Sequence, residues 1–114
     1  MMHEVGILYT VAETVSKIAA ENQVDQIKFI SLEIGELVGI IPEFFEKYYP
    51  IVVEDFPVLE GSELKIRMIP GEALCDDCHA MYNIMRNEGK CPKCQSRYKT
   101  VLGGQEFMVK EIGC

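Results

Sequence analysis

Cys75-Asp76-Asp77-Cys78 and Cys91-Pro92-Lys93-Cys94 stand twelve residues apart, and no other feature limits the fold of this chain as much. A two-residue gap lets both sulfurs of a tight turn bend toward one ion, and two such turns supply four thiolates. Tetrahedral Zn(II) imposes no geometry beyond what four soft ligands ask for, so it fits. The gap between the pairs is slightly shorter than usual for this pattern. It still holds a short hairpin, with Met81 to Met85 and Arg97 to Leu102 as candidate strands. Iron fits the same thiolates, and a pair of disulfides is the third reading. Leu74 to Leu102 is rich in charge and turn residues and poor in branched aliphatics. A segment of that composition needs the metal to fold, and zinc binding supplies roughly 10–16 kcal/mol in comparable peptides. Four protein ligands leave no open position, so the ion is structural. His79 directly follows Cys78; it reads as a surface residue beside the turn, or as a second group coupling the site to pH. Cys114 has no partner in the sequence.

The flanking segments carry a different pattern. Glu4 to Asn22 reads as a helix, with Leu8, Val11, Ala12, Val15, Ile18 and Ala19 on one face. Gln26 to Leu37 reads as a strand in which Ile27 and Phe29 take one alternation and Ile30, Leu32 and Ile34 the other. Either both faces are partly covered or a bulge shifts the phase. Pro42 opens a second helix to about Val53, which Pro50 should kink or end early. Ser62 to Ile69 alternates Leu64, Ile66 and Met68 with Glu63, Lys65 and Arg67, a strand broken by Pro70-Gly71. Gln105 to Ile112 returns as a last strand, with Phe107 and Val109 expected to pack back onto the first domain. The implied fold is α+β: a small antiparallel or mixed sheet covered by two helices, with an inserted zinc-ribbon module. Residues 1–70 plus 104–114 form one domain and residues 71–103 the other.

Charge narrows the function. Eleven basic against eighteen acidic residues give −7, which repels phosphates and so argues against nucleic acid and anionic lipid. No apolar run approaches a membrane span, and no basic stretch followed by an apolar core marks a secretory signal, so the expected compartment is the cytoplasm. Lys90, Lys93, Arg97 and Lys99 form a local basic cluster, read as a solvated face or a docking patch for an acidic partner.

The opening Met1-Met2-His3-Glu4 carries a second metal pattern. A free amine, two amide nitrogens and an imidazole at position three can close fused chelate rings in one plane. Nickel and copper favour that square, nitrogen-rich geometry. The first amides of a helix have no intrahelical acceptor, so lending two of them to a metal breaks no helical hydrogen bond. Against this stands the ordinary reading of a histidine near a chain start, a solvated side chain.

The combination is more specific. Met2-His3-Glu4 opening a helix, Glu33-Ile34-Gly35-Glu36 ending a strand, Phe56-Pro57-Val58-Leu59-Glu60-Gly61 leading into a strand, and then the two cysteine pairs resemble the HypA/HybF family. These are the nickel metallochaperones of [NiFe]-hydrogenase maturation. The resemblance implies a non-enzyme that binds Ni(II) at its N-terminus and delivers it to hydrogenase, with urease as a further acceptor. It implies His3 as the essential imidazole with Glu4 and Met2 in support, and Cys75, Cys78, Cys91 and Cys94 as ligands of structural Zn(II). It implies a HypB-type GTPase and the hydrogenase large subunit as partners; the chain itself is expected to be a monomer or weak homodimer. The family usually starts at the methionine equivalent to Met2, so Met1 is extra. The loop Leu37-Val38-Gly39-Ile40-Ile41 lacks the acidic residue some members place there. The alternative is a zinc-ribbon interaction adaptor without nickel transfer.

Overall fold

The computed structural model describes residues 2–114, Met2 and His3 by their helical backbone alone. The fold is α+β. Helix α1 spans Met2–Glu21 and α2 spans Pro42–Val53; the strands are β1 (Phe29–Gly35), β2 (Glu63–Ile69), β3 (Glu72–Cys75), β4 (Met81–Asn83), β5 (Lys99–Gly103) and β6 (Phe107–Gly113). They form two three-stranded sheets, ordered β2-β1-β6 and β4-β3-β5. The chain divides into two compact units, one of residues 1–32, 40–67 and 109–114, the other of residues 33–39 and 68–108.

In the first unit α1 packs against α2 and against the short turn Pro57–Leu59. Leu8, Val11, Ala12, Val15 and Ala19 are buried, as a stripe at three- and four-residue steps requires. Ile18, expected on that face, is 42% exposed, because it lies at the stripe's edge. From α2, Phe45, Tyr49 and Val52 are buried, and Tyr49 Oη and Ser62 Oγ share a hydrogen bond of 2.7 Å. Pro50 does not end α2. Pro50 and Glu46 are both exposed, on the solvent side of the helix where a lost backbone hydrogen bond costs least.

β1 alternates: Ile30, Leu32 and Ile34 are buried and Phe29, Ser31 and Glu33 half-buried, so both faces are partly covered. Glu63 N donates to Lys28 O, start beside start, as the α2 crossover between parallel strands demands. Lys28 N donates to Gly113 O, so β6 runs antiparallel and the sheet is mixed. Phe107 and Val109 are half-buried and alternate with exposed Met108 and Lys110.

In the second unit β3 pairs antiparallel with both β4 and β5. The expected hairpin of the segments after Cys78 and Cys94 is therefore wrong. Those segments lie on opposite sides of Glu72–Cys75, a strand too short to show a period beside Pro70-Gly71. Backbones approach closely at the root of this unit. Gly104 has φ +100°, and a Cβ there would run into Gly71 Cα, while a Cβ at Gly35 would run into the Gly104 carbonyl. Leu37 N donates to Gly104 O at 2.8 Å, and Gly35 N to Glu106 O at 2.7 Å.

Candidate metal centre

The four paired cysteines converge. Cys75 ends β3, Cys78 follows in the same turn, and Cys91 and Cys94 form a second turn before β5. Their sulfurs all lie within 4.8 Å of one another, with Cys75–Cys94 and Cys78–Cys91 each at 3.5 Å. Four sulfurs around tetrahedral zinc, at its usual bond length, sit about 3.8 Å apart. The donor set therefore fits zinc, and all four cysteines are free thiols rather than disulfides.

The two turns share one construction. His79 N donates to Cys75 O at 2.9 Å and Gln95 N to Cys91 O at 2.8 Å. His79 (φ +64°) and Gln95 (φ +69°) both take the left-handed conformation that closes such a turn. Amides also point at sulfur: Cys78 N to Cys75 Sγ at 3.5 Å, and Lys93 N to Cys91 Sγ at 3.4 Å. His79 thus serves the site through its backbone, and its side chain is exposed. The turns are linked by Ser96 Oγ donating to Asp77 Oδ2, and the strand beyond by Thr100 Oγ1 donating to Asp76 Oδ1 at 2.8 Å.

Crowding separates the thiols. The Cys78 amide holds the Cys75 thiol down to about 7. Cys94 is pushed up to about 12: the Ser96 amide favours its thiolate, but the Cys75 sulfur, burial and the sulfurs of Cys78 and Cys91 outweigh it. Cys91 is lowered against its burial by the Cys94 and Lys93 amides, and Cys78 is raised despite the Ala80 amide by burial and the Cys91 sulfur. Four thiolates coexist here only with a cation between them.

One anchor of this unit was missed in the sequence. Glu36 Oε1 accepts from Gly71 N at 2.7 Å and from Asn83 Nδ2 at 3.2 Å, tying the residue after β1 to the start of β3 and the end of β4. The Gly71 amide, then Asn83, hold its carboxyl below the usual carboxylate range. A lowered carboxylate contributes stability above its unfolded value and loses it as pH falls through the folded one. The Gly71 amide resonance should accordingly titrate with a midpoint below that of an ordinary glutamate. It should stop titrating there in Glu36→Gln; an unchanged profile would show that the bond is absent in solution.

At the chain start, Glu4 is 3% exposed and its Oε1 has no hydrogen-bond partner among the described residues. Met1 and the side chains of Met2 and His3 lie outside the described residues.

A four-thiolate ribbon joined to a small unit of two helices and a mixed sheet defines a zinc-ribbon protein whose helical unit is free for another task. A family model described as hydrogenase/urease nickel incorporation, metallochaperone, hypA matches residues 2–114. The chain is 36% identical to the hydrogenase maturation factor HypA of Trichodesmium erythraeum, over 97% of this chain and 94% of that one. It is 32% identical to that of Desulfatibacillum aliphaticivorans, over 97% and 85%. Among solved structures, a solution structure of HypA protein aligns with TM-score 0.69 at 23% identity, covering 99% of this chain and 96% of that one. The Ni metallochaperone HypA of Helicobacter pylori aligns with TM-score 0.58 at 23% identity, covering 92% and 94%. The chain belongs to the HypA family of nickel metallochaperones for hydrogenase/urease nickel incorporation. An adaptor without nickel is not favoured. Nickel is cargo, and the four-cysteine cluster is consistent with structural zinc.

Proposed function

We propose that nickel is bound at the start of α1, by the His3 imidazole and backbone nitrogens with Glu4 and Met2 in support, and is passed on without chemical turnover. The observation that carries this reading is Glu4. A buried carboxylate oxygen without a donor is costly, and a cation beside it offsets that cost. The free amides of the helix start add donors that no intrahelical carbonyl needs. The division of labour follows: residues 1–70 plus 104–114 carry nickel and residues 71–103 carry zinc through Cys75, Cys78, Cys91 and Cys94. The partners are a HypB-type GTPase and the hydrogenase large subunit, met in the cytoplasm. No helix among the described residues is long and apolar enough to cross a membrane, which agrees with that setting. Nickel titration of zinc-loaded wild type and His3→Ala, followed by absorbance, tests the site. The variant is expected to lose the nickel and keep its zinc; equal nickel stoichiometry in the two defeats the assignment.

A further inference from the structure

β5 is an edge strand, and among the described residues nothing pairs with its outer side. Asp76 N donates to Tyr98 O at 3.0 Å, which makes those two a hydrogen-bonded pair. Alternation along the ladder puts Thr100, opposite Leu74, in the next such pair. It therefore turns the N–H and C=O of Lys99 and Val101 away from β3. Natural sheets usually blunt such an edge. Here Lys99 is the only charge within the strand, and apolar side chains stand open beside it: Tyr98 is 75% exposed, Leu102 52% and Val101 37%. A cavity of about 280 Å³, lined by Val101, Leu102, Gly103, Gln105 and Glu106, lies at its C-terminal end.

The other end is cationic. Arg97 Nη1 and Lys99 Nζ lie 3.7 and 4.0 Å from the point where a Gly89 Cβ would sit, with Lys90 next in the chain. Both side chains are held over this turn, Arg97 donating to Glu88 O and Lys99 to Arg97 O. The chain as a whole is anionic, so this patch favours anions only at contact range, within a screening length of about 8 Å.

We propose that β5 docks an extended acidic segment of a partner protein, added as a further strand. The Lys99 and Val101 backbone groups bind its main chain, the cavity takes one apolar side chain, and Arg97 and Lys99 meet its carboxylates. A second copy of this chain fits less well. Two β5 strands paired antiparallel about Val101 set Lys99 opposite Gly103 and leave both cationic ends unneutralised.

The probe is a fluorescein-labelled ten-residue peptide of alternating valine and threonine ending in three glutamates. It is titrated by anisotropy into zinc-loaded, nickel-free full-length protein, so failure of the nickel reading leaves this test intact. Val101→Pro removes an outward N–H and no β3 bond, a place where edge strands accept proline. It should weaken binding about tenfold or more while zinc stoichiometry and the Tyr82 amide shift stay as in wild type. Arg97→Glu with Lys99→Glu should do the same, and a lysine-ended peptide should not bind. No binding of the acidic peptide, equal binding of the lysine-ended one, or indifference to Val101→Pro overturns the proposal. So does a wild-type dimer that Val101→Pro dissolves without any peptide binding, which would make a second copy the occupant.

Discussion

Withdrawing zinc with a strong chelator is expected to unfold the ribbon of residues 72–103 and to leave α1 and α2 folded. The ribbon's buried centre consists of Ala73, Cys75, Tyr82 and Cys91, with Cys78, Ala80 and Ile84 packed on it. Two of those four buried residues, Cys75 and Cys91, belong to the four-cysteine cluster, so a metal held there would share its atoms with the core. Without the ion, the sulfurs have only amides and one another as partners, and Cys94 holds its proton up to about 12. Structural zinc contributes about 10–16 kcal/mol in such sites, comparable to or above the whole stability of a small domain. The first unit has its own core of Val15, Ile27, Ile30, Phe45 and Val52, which contains none of the four clustered cysteines. In an amide-correlation spectrum, β3, β4 and β5 should lose dispersion on chelation while Val15, Ile30 and Phe45 keep theirs. Cys91→Ala should reproduce the effect in zinc-containing buffer. Because metal must displace thiol protons, binding should release protons and weaken as pH falls. Retained ribbon dispersion after chelation, with four titratable thiols, would refute a fold-determining metal.

The four-cysteine cluster was legible because its spacing is itself the geometry: two-residue gaps make the turns, and a turn fixes where a sulfur points. The helices were legible for the same reason of period. Pro42 marked the start of α2, and the α1 stripe gave five of its six expected core residues. What failed depended on partners distant in sequence. Nothing in Glu72-Ala73-Leu74-Cys75 says that this stretch, rather than the segments after the cysteines, is the centre of the ribbon sheet. Pro50 does not end α2, since whether a missing donor stops a helix depends on whether water can reach the carbonyl left behind. Glu36 belonged to a motif of family resemblance, yet its work is done on Gly71 and Asn83, thirty-five and forty-seven residues on. Such contacts have no local signature. Left-handed residues after each second cysteine do have one: a residue in that place, here His79 and Gln95, is chosen for its backbone before its side chain.

Acetylating or extending the N-terminus is expected to abolish nickel loading while zinc and fold persist. The proposed chelate takes one nitrogen from the amine, others from backbone amides and one from His3, a square-planar set that favours nickel and copper over zinc. An acetyl group removes the amine donor and its chelate ring at once. Loss of an outer-shell partner alone costs about 10–100-fold in metal affinity, so loss of a direct ligand should exceed that. Starting the chain at Met1 or at Met2 divides the reading further. With the amine on Met1, His3 is third and the rings close through two amides. With the amine on Met2, one ring is lost and a carboxylate must supply the missing donor. The buried Oε1 of Glu4, unpartnered among the described residues, is the candidate. Glu4→Gln should accordingly weaken nickel strongly in the Met2 form and slightly in the Met1 form, read by isothermal titration with zinc content as the control. Equal nickel affinity in acetylated and free-amine protein would remove the chain start from the ligand set, leaving His3 and Glu4 to be tested as part of some other site.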